Sequence, residues 1–499
     1  MMEEATSTRS TRPFSEAIDE PGSGCSLTHH ERGAGGPHHR SSGGCQCWRT
    51  APPSRSMNDD TQRFVRSLIA SEFTVVTPQL LRFVADLFED PTVDAQQIAP
   101  AAVELLRRAG SFDGPLLHAL LRNAVVCDLE FERWARATRR DLMANAVQED
   151  SELMRSLAAQ AEATGYVWAD DDWNLCPSRG ELKAPVARMD QPSQQSIDEE
   201  EAARRELERP LELDPVSALV RRQYEKAPFP LWRRLRRKPA RPFAELLAKW
   251  LGPAPAPAQL PVAPAVLIAG CGTGHDALVA ATRYEEARVT AVDLSVASLA
   301  YATLMARQEK VTNVTFLHAD LLSMALGARF DVVESHGVLH HLADPEKGFA
   351  ILVNALAPAG VLGISVYSAL GRQRFDAVRR RYNLSPSADD DSIRRMRDIL
   401  AIDEPWLTEM REFYVLPELR DLLYHPHERP FTLPQIQQLI DDHGCEFLGF
   451  ERLPPEVREA FASEEPDAGI TDLGRWASFE QRNPMTFQSM YRFWVRRRS

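Results

Sequence analysis

The sequence predicts an α/β protein: a doubly wound, Rossmann-like parallel sheet in the C-terminal half, preceded by an all-helical N-terminal domain. Three observations carry this. An aliphatic run breaks into a glycine turn and then a helical pattern at Val266-Leu-Ile-Ala-Gly-Cys-Gly-Thr-Gly-His-Asp276. From there buried-strand runs alternate with helices to the C-terminus, the signature of a parallel sheet covered on both faces. Upstream, from Thr61 to about Gly165, apolar residues recur at helical spacing.

Composition bounds the answer. A chain of 499 residues has room for two or three domains, and 44% hydrophobic with 26% charged residues is the balance of a soluble globular protein. A net charge of −13 argues against a general binder of nucleic acid or anionic membrane. No apolar run approaches the roughly 20 residues that span a bilayer, and the N-terminus lacks the apolar core of a secretory signal. Seven scattered cysteines make no disulfide framework, so a reducing cytoplasm is expected.

Residues 1–56 are rich in Ser, Gly, Pro, Arg and His and cannot bury enough apolar surface to offset chain entropy; disorder is expected. Their Cys25, His29, His30, His38, His39, Cys45 and Cys47 match no zinc-finger spacing, and no metal site is assigned. Met57 reads as the start of the ordered protein, with an extension before it. Residues 57–175 form the helical domain. Thr77-Pro78 places an N-cap before a first-turn proline, ahead of the stripe Leu80, Leu81, Val84 and Leu87. Asp113-Gly-Pro115 opens a second helix with Leu116, Leu117, Leu120 and Leu121. Asp128 opens a third with Phe131, Trp134, Ala135 and Leu142. Gly165-Tyr-Val-Trp168 adds a short extended piece. Residues 176–214 are polar and acidic, a solvated linker or exposed helix. Residues 215–261 read as a lid or strap and a linker: Tyr224-Glu-Lys-Ala-Pro-Phe-Pro-Leu-Trp232, where two prolines fix Phe229 in an extended turn, then the basic cluster Arg233, Arg234, Arg236, Arg237, Lys238 and Arg241, then the stiff Gly252-Pro-Ala-Pro-Ala-Pro257. The cluster is either a solvated helix end or a phosphate patch.

Residues 262–499 carry the α/β domain. After the glycine-turn strand come Arg288-Val-Thr-Ala-Val292, a helix capped by Ser295, Val314-Thr-Phe-Leu317, a strand from Asp331, a helix capped by Asp344-Pro345, and Val361-Leu-Gly-Ile-Ser-Val366 after Gly360. A mainly helical insertion follows from residue 368 to about 430. Thr432 caps a further helix, and Cys445-Glu-Phe-Leu-Gly-Phe450 and Met490-Tyr-Arg-Phe-Trp-Val495 give the sixth and seventh strands.

Ligands of open parallel sheets bind outside the carboxyl ends of the strands. Asp293 ends the second strand, where a carboxylate can accept from both hydroxyls of a ribose. Asp320 follows the third, within reach of an adenine amine, and Glu334-Ser-His-Gly-Val-Leu-His-His341 follows the fourth. The turn is G-x-G-x-G followed by His275, whereas the dinucleotide fingerprint has Gly or Ala there, which leans away from nicotinamide. In this order of motifs, from about Val262 to Arg497, the chain resembles the class I S-adenosylmethionine-dependent methyltransferases. The segments Tyr224–Trp232, Arg420-Asp-Leu-Leu-Tyr-His425 and Phe479–Trp494 look like a bacterial group often attached to helical or tetratricopeptide regions, although no clear repeat is present here.

The resemblance implies a seven-stranded sheet with the last strand antiparallel and S-adenosyl-L-methionine as cofactor. It implies that Gly270, Cys271, Gly272, Thr273 and Gly274 lie along the methionine portion. Asp293 and Leu294 would lie at the ribose, Asp320 and Leu321 at the adenine, and Glu334 near the methyl. Methyl transfer is an in-line displacement that needs positioning and water exclusion more than a large base apparatus. His336, beside Glu334, is the candidate base; His340 and His341 are expected to pack and to cap a turn. Tyr224, Phe229, Tyr367, Arg372, Asp421 and His425 are candidate acceptor-binding residues, with surface ion pairing the competing reading for the charged ones. No Asn/Asp-Pro-Pro-aromatic motif, Pro-Cys nucleophile, paired-glutamate loop or catechol-type metal arrangement is present, which disfavours those subclasses. The expected function is methyl transfer to a small-molecule or protein acceptor. A non-catalytic cofactor-binding module and a nicotinamide oxidoreductase remain as alternatives.

Overall fold

The computed structural model describes residue 67 and residues 75–498, apart from 91–92, 111, 145–151, 165–193, 231, 233, 253–259, 325–326, 328 and 488–489. The expectations for the first 56 residues and their Cys and His groups, for Met57, for Gly165–Trp168, for the first part of the polar linker, for Arg233 and for the proline-rich linker lie outside the described residues.

The helical region is built as its caps dictate. In α1 (Pro78–Glu89) Thr77 Oγ1 accepts the Leu80 N–H at 3.2 Å. α2 (Ala95–Ala109) follows, and α3 (Pro115–Asn123) has Gly114 as cap and proline at its first position. In α4 (Leu129–Ala144) Asp128 Oδ1 accepts the Phe131 N–H at 2.8 Å. α5 (Glu152–Thr164) closes the group. Val84, Ile98, Leu106, Leu117, Leu120 and Phe131 meet in one core. Within the expected linker lies α6 (Gln194–Leu207), and α7 (Pro215–Lys226) is capped by Asp214. α8 (Phe243–Leu251) packs Phe243, Leu247 and Trp250 under the sheet.

The seven strands are β1 (Ala265–Ala269), β2 (Arg288–Asp293), β3 (Val314–His318), β4 (Phe330–His336), β5 (Leu356–Tyr367), β6 (Cys445–Phe450) and β7 (Met490–Arg497). Their order is β3-β2-β1-β4-β5-β7-β6. β1 to β5 pair in parallel, and β7 runs antiparallel between β5 and β6. The expected sheet is therefore present, antiparallel last strand included. The order reverses direction at β1, which sets a crevice between the carboxyl ends of β1 and β4. Helices α9 (His275–Arg283), α10 (Val296–Gln308), α11 (Pro345–Ala355) and α15 (Leu433–Asp442) cover it. Ser295 and Asp344 cap α10 and α11 as expected, and Thr432 forms a full capping box with Gln435. α6 packs against α10 and β3.

The insertion contains α12 (Ala369–Arg381), α13 (Asp390–Asp403) and α14 (Leu416–Tyr424). Its core, including Phe375, Leu400, Phe413 and Leu419, takes in Val125 of the helical region. Arg397 pairs with Glu132 across the same seam. The basic cluster is not a helix end among the described residues. It runs as extended chain whose Arg236 meets Asp94 at 3.0 Å, while Arg234 and Arg237 pair with Glu89 and Glu309. Arg234 and Arg236 thus tie the segment to α1 and the head of α2, and Arg237 ties it to the sheet domain.

Candidate cofactor and acceptor site

Where β1 ends, the backbone N–H groups of Gly270 and Cys271 both donate to Val292 O, at 2.8 and 2.9 Å. Gly270 has φ +74°, and a Cβ there would lie 2.2 Å from Val338 Cγ2. Gly272 has φ +51°, and its Cβ would lie 2.3 Å from the Phe229 carbonyl oxygen. Both positions demand glycine, by conformation and by close approach. The approaching backbone is the aromatic strap. Thr273 N donates to Phe229 O at 3.2 Å and Thr273 Oγ1 to Pro230 O. Trp232 Nε1 returns a bond to Thr273 O at 3.2 Å, and the Tyr301 hydroxyl donates to Trp232 O. The strap is thus stitched onto the turn, and Phe229 lines the cavity.

Asp293 ends β2 as expected. Its Oδ2 accepts the Gly272 N–H at 2.7 Å and its Oδ1 the Ser295 N–H at 2.9 Å. Burial raises its carboxyl above the usual range, against these backbone bonds that pull it down. One carboxylate therefore ties the glycine turn to the start of α10 and keeps a lone pair on each oxygen. Asp320 is buried and caps the short turn Leu321–Ser323 through the Leu322 N–H at 3.0 Å. Burial raises its pKa as well, opposed by that bond and by Ser217.

Glu334 and His336 lie two apart on β4. The Tyr284 hydroxyl donates to Glu334 Oε1 at 2.6 Å, Glu334 Oε2 lies 3.1 Å from His336 Nε2, and His336 Nδ1 lies 2.8 Å from Ser365 Oγ on β5. A carboxylate only accepts, so it places the imidazole proton on Nε2 and leaves Nδ1 as the basic atom. Burial lowers the His336 pKa, but Glu334, with Asp276 and Glu451 near it, outweighs burial and the net shift is upward. Burial pushes the Tyr284 phenol well up, so it stays a donor.

Across the crevice, Asp421 on α14 accepts from Tyr224 at 2.6 Å and from Tyr367 at 3.4 Å. These residues share a cavity of about 1570 Å³ with Gly270, Cys271, Gly272, Asp293, Leu294, Asp320, Leu321, Glu334, His336 and Phe229. Thr273, Gly274, Arg372 and His425 do not line it. Thr273 holds the strap. Arg372 is fully buried against Glu428 at 2.7 Å and over the Tyr367 ring, and His425 stacks behind His341. For Arg372, pairing is therefore what the geometry records, and it is internal rather than at the surface.

Comparison with known proteins bears on what this geometry serves. Residues 263–393 match the family described as "Methyltransferase domain". A trans-aconitate 2-methyltransferase of Azoarcus is 30% identical over 40% of this chain and 72% of its own length. The chain belongs to the class I S-adenosylmethionine-dependent methyltransferases. An uncharacterised protein of Synechococcus is 31% identical over 38% of this chain, which spans 48% of that relative's length. A solved structure from Rickettsia typhi, PKMT2 in complex with AdoHcy, aligns with TM-score 0.39 and 18% identity over 52% of this chain and 53% of its own.

The methyltransferase crevice contains groups that sequence reasoning did not single out. Tyr284 and Ser365 complete the chain through His336, and Glu225 accepts the Val296 N–H at 2.7 Å at the head of α10. No local pattern marks Tyr284 or Ser365, because their contacts arise only when β4, β5 and α9 assemble. Glu225 sits inside the aromatic strap and was readable as an acidic residue near a helix start, had the strap's position been known.

Proposed function

We propose that this chain transfers the methyl group of S-adenosyl-L-methionine to an oxygen or nitrogen nucleophile of a small-molecule or protein acceptor, in the cytoplasm. The observation that carries the reading is the hydrogen-bonded series Tyr284–Glu334–His336–Ser365 opening into the cavity that holds Asp293. When bound, the cofactor supplies an electrophilic methyl on a sulfonium. The glycine cradle fits a ligand pressed against backbone, and Asp293 offers two oxygens to a ribose. Leu321 and Asp320 would border the adenine. Ser365 Oγ would pass the acceptor's proton to His336 Nδ1, and Glu334 would stabilise the imidazolium that forms. Tyr224, Phe229, Tyr367 and Asp421 would position the acceptor and exclude water. The test is release of S-adenosylhomocysteine and label transfer when the full chain meets fractionated cell extract and methyl-labelled donor. Labelled product lost in His336→Gln, with donor binding retained, is the expected result. Donor binding with no release over any fraction would leave a non-catalytic binding module and refute the proposal.

A further inference from the structure

Behind the acceptor face lies a group of side chains of which the methyl-transfer reading uses only Asp421. His341 closes the turn Leu339–His341 after β4, and Asp421 and His425 stand four apart at the end of α14. One ligand atom from each of these buried residues lies within 4.8 Å of the other two. We propose that His341, Asp421 and His425 form a binding site for a divalent first-row transition-metal ion, with its open coordination positions facing the cavity.

Three features of the packing support this. Asp421 is 7% exposed, and its recorded partners are the phenols of Tyr224 and Tyr367; among the described residues no cation pairs with it. A carboxylate in such a place lacks the counter-charge that burial calls for, and a metal ion supplies it. The neighbouring cations are spent, Arg372 and Arg379 on Glu428 and Arg420 on Asp390. His425 is 5% exposed, and its Nε2 has no hydrogen-bond partner. Orphaned buried polar atoms are rare, and this one calls for a partner. His341 has the arrangement that orients metal-binding histidines. Its Nδ1 lies 2.9 Å from the His427 carbonyl, which places the proton there and frees Nε2.

Two imidazoles and one carboxylate on one side of an ion suit zinc, iron(II) or cobalt rather than magnesium or calcium. Ligand atoms around such an ion stand about 3–3.5 Å apart, so loading closes the site by no more than about 2 Å. Loading also moves the His425 proton to Nδ1 and opens the 3.2 Å contact that Nδ1 now makes with the His427 N–H. His341 and Asp421 both line the cavity, so the open positions face it, where oxygen donors of a bound small molecule would complete the sphere.

The test strips the full chain with chelator and titrates it with Co²⁺, reading the visible d–d bands and metal content after gel filtration. The wild-type protein should hold about one more ion per chain than His425→Gln or Asp421→Asn, with affinity about 100-fold weaker in the variants. His340→Gln, beside the site but outside the ligand set, should keep the ion. The Cys- and His-rich first 56 residues are common to all variants, so their contribution cancels. Equal stoichiometry in wild type and both variants, or only the spectrum of hydrated cobalt, overturns the site and leaves bound water as the partner of His425. Should a variant fail to fold by circular dichroism, X-ray absorption of the zinc-loaded wild type decides: two imidazoles in the first shell support the site, and none refutes it.

Discussion

Asp293→Ala tests the cofactor geometry most directly. The wild-type carboxylate accepts two backbone N–H groups, from Gly272 at 2.7 Å and Ser295 at 2.9 Å, and keeps one further lone pair per oxygen, which the proposed donor pose gives to the two ribose hydroxyls. Charge-assisted bonds contribute about 1.5–3 kcal/mol each, reduced by the water that replaces the ribose. A net loss of about 2–4 kcal/mol is expected, or roughly 30- to 900-fold in Kd for S-adenosylmethionine. Asp293→Asn should do no better. An amide has one acceptor, so either rotamer turns its NH₂ against the N–H of Gly272 or Ser295. The pH dependence carries a sign as well. Burial raises the Asp293 pKa, so the accepting carboxylate is lost at a higher pH than for an exposed aspartate, and donor affinity should weaken on mild acidification. Isothermal titration with S-adenosylmethionine and S-adenosylhomocysteine measures all three. A Kd for Asp293→Ala within about twofold of wild type would refute the assigned ribose contact.

His336→Gln should lower kcat by about 10²- to 10⁴-fold with donor Kd unchanged, checked by single-turnover label transfer. On the proposed mechanism the active form of His336 is the neutral one, and Glu334 raises its pKa against burial. kcat/KM should therefore rise with pH through a value above that of ordinary histidine, and Glu334→Gln should move this limb to lower pH. Gly272→Ala places a Cβ 2.3 Å from Phe229 O at φ +51°, and should cost about 2 kcal/mol or more in denaturant melts while weakening donor binding as the strap lifts. Gly363→Ala puts a Cβ 2.7 Å from the Trp494 ring inside the sheet, and should cost about 1–3 kcal/mol with no selective loss of donor affinity in the folded protein.

Much of the sheet was legible because its determinants are local. The aliphatic run into Gly270 marks β1, and Ser295, Asp344 and Thr432 mark helix starts that the structure places at those residues. The start of β5 was misread. Gly360 suggested a turn before Val361, yet β5 begins at Leu356 and a register shift against β4 absorbs the irregularity. The basic cluster misled for a related reason. Arginine spacing alone does not reveal Asp94 or Glu309, which reach it only through tertiary packing.

The candidate site divides along the same line. Residues proposed to meet the donor from backbone turns and strand ends, such as Gly272 and Asp293, stand beside each other in space because the parallel fold always brings β1 and β2 ends together. The opposite wall comes from chain whose path the fold class does not set. Tyr224 reaches Asp421 only because α7 and α14 face one another across the crevice, and His341 meets His425 only because the insertion folds back over the end of β4. The two walls therefore answer to different constraints. The donor wall tolerates little change in backbone, since Phe229 already sits where a side chain at Gly272 would go. The insertion wall is held by side-chain pairs, such as Arg372 with Glu428, that can be exchanged without moving a strand. A change of acceptor is thus expected to map to α12 and α14, and a change of donor affinity to the glycine turn and strap.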